Sequence, residues 1–275
     1  MVIGNNEINA TNRELTLLFH LNSDQFTYCL FNKNTNKFEF IDTIFLNSLN
    51  NLESEITNIF NAEDKLAISF EMTKGSICTS TNTFIPSVLF NEKYIAKYIK
   101  FNSTLTKENK CLFNKQVFSD FYSVYAIQSS LLKTLNKITS NLTLKHTASI
   151  FVDYAISLSQ KLKSYIFIQI NKNNFHIAYI NNSKLLFYNE FKYKSLDDFM
   201  YYFLNCLNVL ELNHNLIDVK LMSSLESNDP VFTSIKNYLN NTHFINRPNN
   251  FNYSHNIHEI SEHKYHDIFS QLICV

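Results

Sequence analysis

The sequence predicts an α/β protein in which one structural unit occurs twice, and two observations carry the prediction. The first is an internal overlay: residues 16–32 fall on residues 165–181 without a gap, so that Asn22 meets Asn171, Phe26 meets Phe175 and Phe31 meets Ile180. Past the hairpin loops the match resumes, slightly out of step, pairing Lys37 with Lys184, Phe40 with Phe187, and SLNNL from Ser48 with SLDDF from Ser195. A change of length inside a turn costs little. The second observation is the order of periodicities in each copy: three extended apolar stretches, a helical one, then a further extended one. With 275 residues, 45% of them hydrophobic, the chain can bury a core in each unit.

In the first unit, strands over 15–21, 26–31 and 37–45, joined by NSDQ and NKNTN, make a meander. A helix opens at Ser48 and carries Leu49, Leu52, Ile56, Ile59 and Phe60 at helical spacing, and KLAISF over 65–70 reads as a buried strand. A short strand follows over 77–79, and Pro86 marks the entry to a helix bearing Phe90, Tyr94, Ile95, Tyr98 and Ile99. Residues 109–118 and 123–127 read as extended, and a helix follows with Leu131, Leu132, Leu135 and Ile138 on one face. An amphipathic helix over 147–162 leads into the second unit. That unit has strands over 165–170, 175–180 and 184–193, a helix carrying Leu196, Phe199, Phe203, Cys206, Leu207 and Leu210, and a strand over 217–222. Helices close the chain over about 231–239 and 261–273, with the Asn/Pro/His-rich stretch 240–258 as a loop between them. The expected division is an N-terminal lobe over 14–145, with an inserted segment, and a C-terminal lobe over 146–275.

Composition excludes several functions. Twenty-four basic residues balance 24 acidic ones and only Arg13 and Arg247 are arginines, so neither nucleic acid nor an anionic membrane is an expected partner. The five cysteines are odd in number, scattered and without a CxxC pair, unlike a disulfide framework or a thiolate zinc site. The opening MVIGNNEINATNREL holds no apolar h-region, and apolar stretches elsewhere are far shorter than the roughly 20 residues needed to span a bilayer. A cytoplasmic protein without membrane insertion is expected. Glycine occurs only at Gly4 and Gly75, where average usage would give about 19, and asparagine takes over the turns.

Strand, strand, strand, helix, strand is the order of an RNase H-like unit, and two in tandem resemble the actin, sugar kinase and chaperone ATPase superfamily. The phrases FIPSVLFNEKYIAKYIKFN, IFIQINKNNFHIAYINNSKLLFYNEF with SLDDFMYYFLNCL, and HKYHDIFSQLIC narrow this further. They resemble an uncharacterised bacterial family of unknown function with an actin-like ATPase fold, over nearly the whole chain from about residue 14. At greater distance the chain is similar to the actin-like assembly proteins of type IV pilus and type II secretion systems. The resemblance implies the fold, and the family carries no established activity.

Superfamily members that hydrolyse ATP hold its phosphates in two hairpin turns with Asp-x-Gly-type motifs. The carboxylate positions Mg²⁺, and the glycines let backbone N–H groups approach phosphate oxygens. The equivalent turns are Asn22-Ser23-Asp24-Gln25 and Asn171-Lys172-Asn173-Asn174, without glycine, and the second without a carboxylate. The Gly-Gly adenosine motif is matched only by Ser223-Ser224. Asn22, Asp24, Asn171 and Lys172 are therefore the candidate remnants of phosphate turns, with Asp24 toward a metal and Lys172 toward a phosphate; the plainer alternative is solvated turn residues. The expectation is a non-catalytic actin-like scaffold or protein-interaction module with a protein or peptide partner, no catalytic residues and no cofactor. The alternative is a degenerate nucleotide-binding or phosphotransfer protein that takes ATP and Mg²⁺ in the interlobe cleft.

Other candidates have simpler readings. His255, His258, His263 and His266 with Glu259 and Glu262 could hold a divalent ion, but a solvated helix end explains them. Asp197 and Asp198 follow Ser195 as first-turn acids behind an N-cap. Asp153 reads as a helix-surface carboxylate, with a raised pKa if it is instead buried. Tyr201 and Tyr202 read as core, or as part of an aromatic groove.

Overall fold

The computed structural model describes residues 14–47 and 52–274. Strands β1 (Leu15–Leu21), β2 (Gln25–Asn32) and β3 (Lys37–Phe45) form the antiparallel meander. β1 is buried along its whole length because both faces of the sheet are covered. Leu15, Leu17, Phe19 and Leu21 face helix α1 (Leu52–Ala62), whose Ile56, Ile59 and Phe60 point inward. Leu18, Cys29, Phe31 and Phe38 face the opposite way, onto Ile257, Ile268 and Phe269 from late in the chain. The expected helix start at Ser48 and Leu49 lies outside the described residues.

The strand expected at KLAISF is a turn instead. Leu66 and Ala67 donate their N–H groups to Glu63 O, while Leu66 and Phe70 bury as single plugs in the core. The strand is β4 (Met72–Ile77), parallel to β1. Its sequence, MTKGSI, lacks an apolar pattern because it crosses the ring of Phe19: a Cβ on Gly75 would lie 2.2 Å from Phe19 Cζ. The inserted segment is a small sheet of β5 (Asn82–Pro86), β6 (Asn109–Lys115) and β7 (Phe121–Gln128) in the order β5-β7-β6, covered by α2 (Ile95–Asn102). Helix α3 (Ser129–Ile138) then returns the chain to β8 (Leu142–His146), which extends the first sheet beside β4.

The second sheet contains β9 (Ser164–Ile170), β10 (Asn174–Asn181), β11 (Lys184–Lys192), β12 (Asp218–Ser223) and β13 (Thr242–Phe244), with α5 (Leu196–Val209) and α6 (Pro230–Tyr238) on one face. Its order β11-β10-β9-β12-β13 repeats β3-β2-β1-β4-β8 of the first sheet. The match reaches single residues. The β2–β3 register slips between Leu30 and Phe31, and the β10–β11 register slips between Tyr179 and Ile180, the positions that overlay.

Helix α4 (Thr147–Leu158) lies between the two halves. It is not the amphipathic helix expected: every residue from Thr147 to Ile156 is buried, and its apolar side chains pack on Tyr165, Phe167, Ala178 and Ile180 of the second sheet. Buried all round, it shows no apolar stripe. Asp153 is fully buried there, against expectation, and accepts hydrogen bonds from Val117 N (2.9 Å) and Phe118 N (3.1 Å). Burial raises its pKa, while those amide bonds lower it.

Residues 240–258 are not a loop. They include β13, β14 (Asn252–Tyr253) and α7 (His255–His258), and β14 pairs with β3, adding a parallel strand to the edge of the first sheet. Asn252 Nδ2 donates to Thr35 O and Asn36 Nδ2 donates to Asn250 O. Buried Arg247 holds the segment by donating to Ile257 O (2.7 Å) and Ile260 O (2.5 Å), and it stacks on Tyr253. Helix α8 (His266–Phe269) is shorter than the helix expected over 261–273, entered through Tyr265 in the left-handed region and followed by a 3₁₀ turn.

Candidate functional site

The β1–β2 and β9–β10 turns face each other across a cleft of about 370 Å³ between the two sheets. Asn22, Ser23, Asp24 and Gln25 line one side, Asn171, Lys172, Asn173 and Asn174 the other, with Cys78, Thr79, Ser80, Glu190, Lys192 and Ser224 between them. All four candidate remnant residues, Asn22, Asp24, Asn171 and Lys172, are thus brought to one cavity. Each turn is tied alike to the end of its third strand: Leu46 N donates to Asp24 O (2.9 Å) and Tyr193 N donates to Asn173 O (3.1 Å).

The turns differ in what their side chains do. Asn22 Oδ1 accepts from Asp24 N (3.0 Å) and Gln25 N (2.8 Å), an Asx turn that consumes both amides. In the second turn Asn171 Nδ2 donates to Asn174 Oδ1 (3.2 Å), and Tyr193 Oη donates to Asn171 O (2.5 Å). Asparagines do take positive φ in this chain, at Asn36, Asn141 and Asn182, but no residue of either cleft turn does. At the late strand Ser223 Oγ donates to Ile170 O (2.9 Å) and accepts from Leu225 N (2.9 Å), closing the ends of β9 and β12 on themselves.

The cleft floor is polar, and sequence reasoning missed it. Cys78 follows β4, while His176 and Glu190 are cross-strand partners on β10 and β11. One ligand-capable atom from each lies within 4.8 Å of the other two. Asn174 Nδ2 donates to Glu190 Oε1 (2.8 Å) and points at Cys78 Sγ (3.9 Å). Fully buried His176 pairs Nδ1 with Tyr188 Oη (2.9 Å), and its Nε2 has no partner. Burial lowers the His176 pKa to about 3 and, with Glu190 nearby, raises that of Cys78 to about 12. These residues come from two strands and the end of a third, and no spacing links them.

Behind the floor, buried His20 bridges Ser76 Oγ (2.8 Å) and Asp267 Oδ2 (3.3 Å). Gln271 Nε2 donates to Phe19 O (2.9 Å) and Ser76 Oγ (3.0 Å), so the late segment reaches the cleft from below. His146 caps α4: Nδ1 accepts from Ala148 N (3.1 Å), while Nε2 lies against the Thr79 backbone, 3.0 Å from its O and 3.1 Å from its N. Burial keeps it neutral, lowering its pKa to about 4.

The remaining candidates stay apart. Ser195 Oγ accepts from Asp198 N (3.1 Å) and Asp198 Oδ2 accepts from Lys194 N (3.0 Å), a reciprocal helix cap. Exposed His255 pairs with Glu259, whereas buried His263 and His266 bond to Leu225 O and Ile245 O. The tail histidines therefore do not converge. Tyr202 stacks on Phe191, and Tyr201 is exposed.

Two sheets of matching strand order closing over a cleft that both first hairpins enter define an actin-like ATPase fold. The chain belongs to the family described as "Protein of unknown function (DUF3822)", whose profile matches residues 5–242. Among solved structures it is similar to a Bacteroides thetaiotaomicron protein with actin-like ATPase fold and unknown function, at 18% identity over 85% of this chain and 91% of that one, with a TM-score of 0.78. It is also similar to a chain of the PilM-PilN type IV pilus biogenesis complex, at 8% identity over 89% and 91%, with a TM-score of 0.60. Both resemblances read from the sequence hold. A search of curated proteins found no match. No helix among the described residues is long and apolar enough to cross a membrane.

Proposed function

We propose that this chain is a non-catalytic actin-like module that holds a protein or peptide partner, its cleft being the remnant of a nucleotide site. The observation that carries the reading is the Asn22 turn. The N–H groups of Asp24 and Gln25, which a phosphate would need, already donate to Asn22 Oδ1, and neither turn adopts the positive-φ geometry that aims successive amides at one anion. Mg²⁺ and ATP do not fit such a cradle: Asp24 is the one carboxylate of the two turns, and Ser223 Oγ is spent inside the protein. The matching strand orders and register slips support an internal duplication in which both phosphate turns have been remodelled. A protein partner is favoured by the neighbour solved as the PilM-PilN complex. The proposed compartment is the cytoplasm, in keeping with five free thiols.

A second reading, degenerate nucleotide binding, draws on Lys172 and Lys192, which line the cleft opposite Asp24. Thermal shift and calorimetry separate the two. A ligand at 100 times its Kd would add about 2.7 kcal/mol to stability. The scaffold reading expects no rise in Tm with millimolar ATP and Mg²⁺. Micromolar ATP affinity that vanishes in Asp24→Ala would overturn it.

A further inference from the structure

We propose that Cys78, His176 and Glu190 form a binding site for a borderline-soft divalent cation of the Zn²⁺ class, which joins the two sheets across the cleft floor. Thiolate, imidazole and carboxylate are the donor set such an ion selects over Mg²⁺ or Ca²⁺. The ligand-capable atoms lie within 4.8 Å of one another. Zinc bond lengths of about 2.0–2.3 Å in a tetrahedron put ligands about 3.3–3.8 Å apart, so closure requires side-chain shifts of only about 1 Å.

Three features beyond proximity support the site. His176 is fully buried: its Nδ1 lies 2.9 Å from Tyr188 Oη and 3.9 Å from Glu190 Oε2, and its Nε2 has no partner. The ring is thus only half satisfied, an expense for a buried imidazole, and its Nδ1 faces the carboxylate that would share the ion. Asn174 spans Glu190 and Cys78 with one amide nitrogen and would orient both around an ion. Charge also balances, since one thiolate and one carboxylate neutralise a dication. Cys78 and Glu190 line the cleft, so a fourth coordination position opens into it, for water or for a donor group from a partner. Cys78 follows a strand of the first sheet while the other two ligands belong to the second, so the ion would pin the cleft at its base.

The test uses tag-free full-length protein, stripped with chelator and titrated with Co²⁺ and then Zn²⁺. One ion per chain is expected, with a thiolate-to-cobalt charge-transfer band that Zn²⁺ abolishes. Cys78→Ser should lose the band, and Cys206→Ser, at a buried thiol elsewhere, should keep it. Glu190→Gln should weaken binding at least about tenfold, and Asn174→Ala about 10–100-fold as an outer partner. Circular dichroism of the metal-free variants checks that each is folded, and Glu190→Gln carries the test if Cys78→Ser is not. No charge-transfer band in the wild type, a band that persists in folded Cys78→Ser, or binding lost only in His255→Ala/His258→Ala would overturn the proposal.

Discussion

Gly75→Ala should destabilise the protein through one ring. A methyl at Gly75 would sit 2.2 Å from Phe19 Cζ and 2.7 Å from Cε1 and Cε2, where ordinary contact begins at 3.4 Å, so the ring must retreat by about 1.2 Å. Phe19 has zero exposure and packs on Phe26 at 5.6 Å, so it has nowhere to go. Overpacking of this kind costs about 1–3 kcal/mol, and the severity of the clash puts it near 3. Removing glycine's freedom from the unfolded chain offsets about 0.5–1 kcal/mol. A net loss of about 2 kcal/mol should lower Tm by about 4–8 °C for a chain of this size. Urea and thermal unfolding of Gly75→Ala, Phe19→Leu and the double variant form a cycle. The smaller leucine side chain makes room for the methyl, so the double variant should be more stable than the sum of the singles predicts by at least about 1 kcal/mol. A Gly75→Ala protein that melts within about 1 °C of wild type, or an additive cycle, would refute the reasoning.

Two further outcomes follow from buried polar groups. His146 and His266 are held neutral by burial, each with a pKa lowered to about 4. The unfolded chain takes up protons near pH 6.5 that the folded chain refuses, so their contribution is intact above pH 6.5 and is lost as pH falls toward 4. Together they should take about 3–4 kcal/mol from the unfolding free energy between pH 7 and pH 5, and His176, lowered to about 3 by the same burial, about 2 kcal/mol more; equal stability at the two pH values in urea titrations would contradict the assignment. Arg247→Ala strands the carbonyls of Ile257 and Ile260 and should cost about 2–4 kcal/mol. Arg247→Lys should restore little, because an ammonium cannot reach both oxygens with a fixed fork, and full recovery in chemical unfolding would sink that account.

What the sequence revealed and what it hid divide along physical lines. β1 to β3, β9 to β11 and helices α1, α3 and α5 carry their periodicity openly, since each has one packed face or a sandwiched run of apolar residues. β4 hid because Thr73 and Ser76 are buried polar residues, Ser76 serving His20, and because Gly75 makes room for a neighbour's ring. KLAISF misled because Leu66 and Phe70 anchor a turn as well as they would a strand. The late segment read as a loop, since its short elements are fixed by Arg247 and by β3 rather than by local propensity. The overlay located both cleft turns. It could not reveal that Asn22 Oδ1 occupies the amides of Asp24 and Gln25, nor that Cys78, His176 and Glu190 meet, because only the packing of the sheets brings them together.

The pairing of β14 with β3 has a consequence for how the molecule comes into being. Asn252 lies against Lys37, and Gln271 reaches Phe19 across 252 positions of sequence. Leu18, Cys29 and Phe31 therefore leave the ribosome long before the residues that shield them from water are made. During that interval the nascent first lobe exposes one apolar face of its sheet, a state suited to chaperone capture or to mispairing. A chain stopped after α6 should lose solubility as well as two strands, β13 and β14, and the slowest native contacts to form should be those that sew the late segment onto the earliest strands.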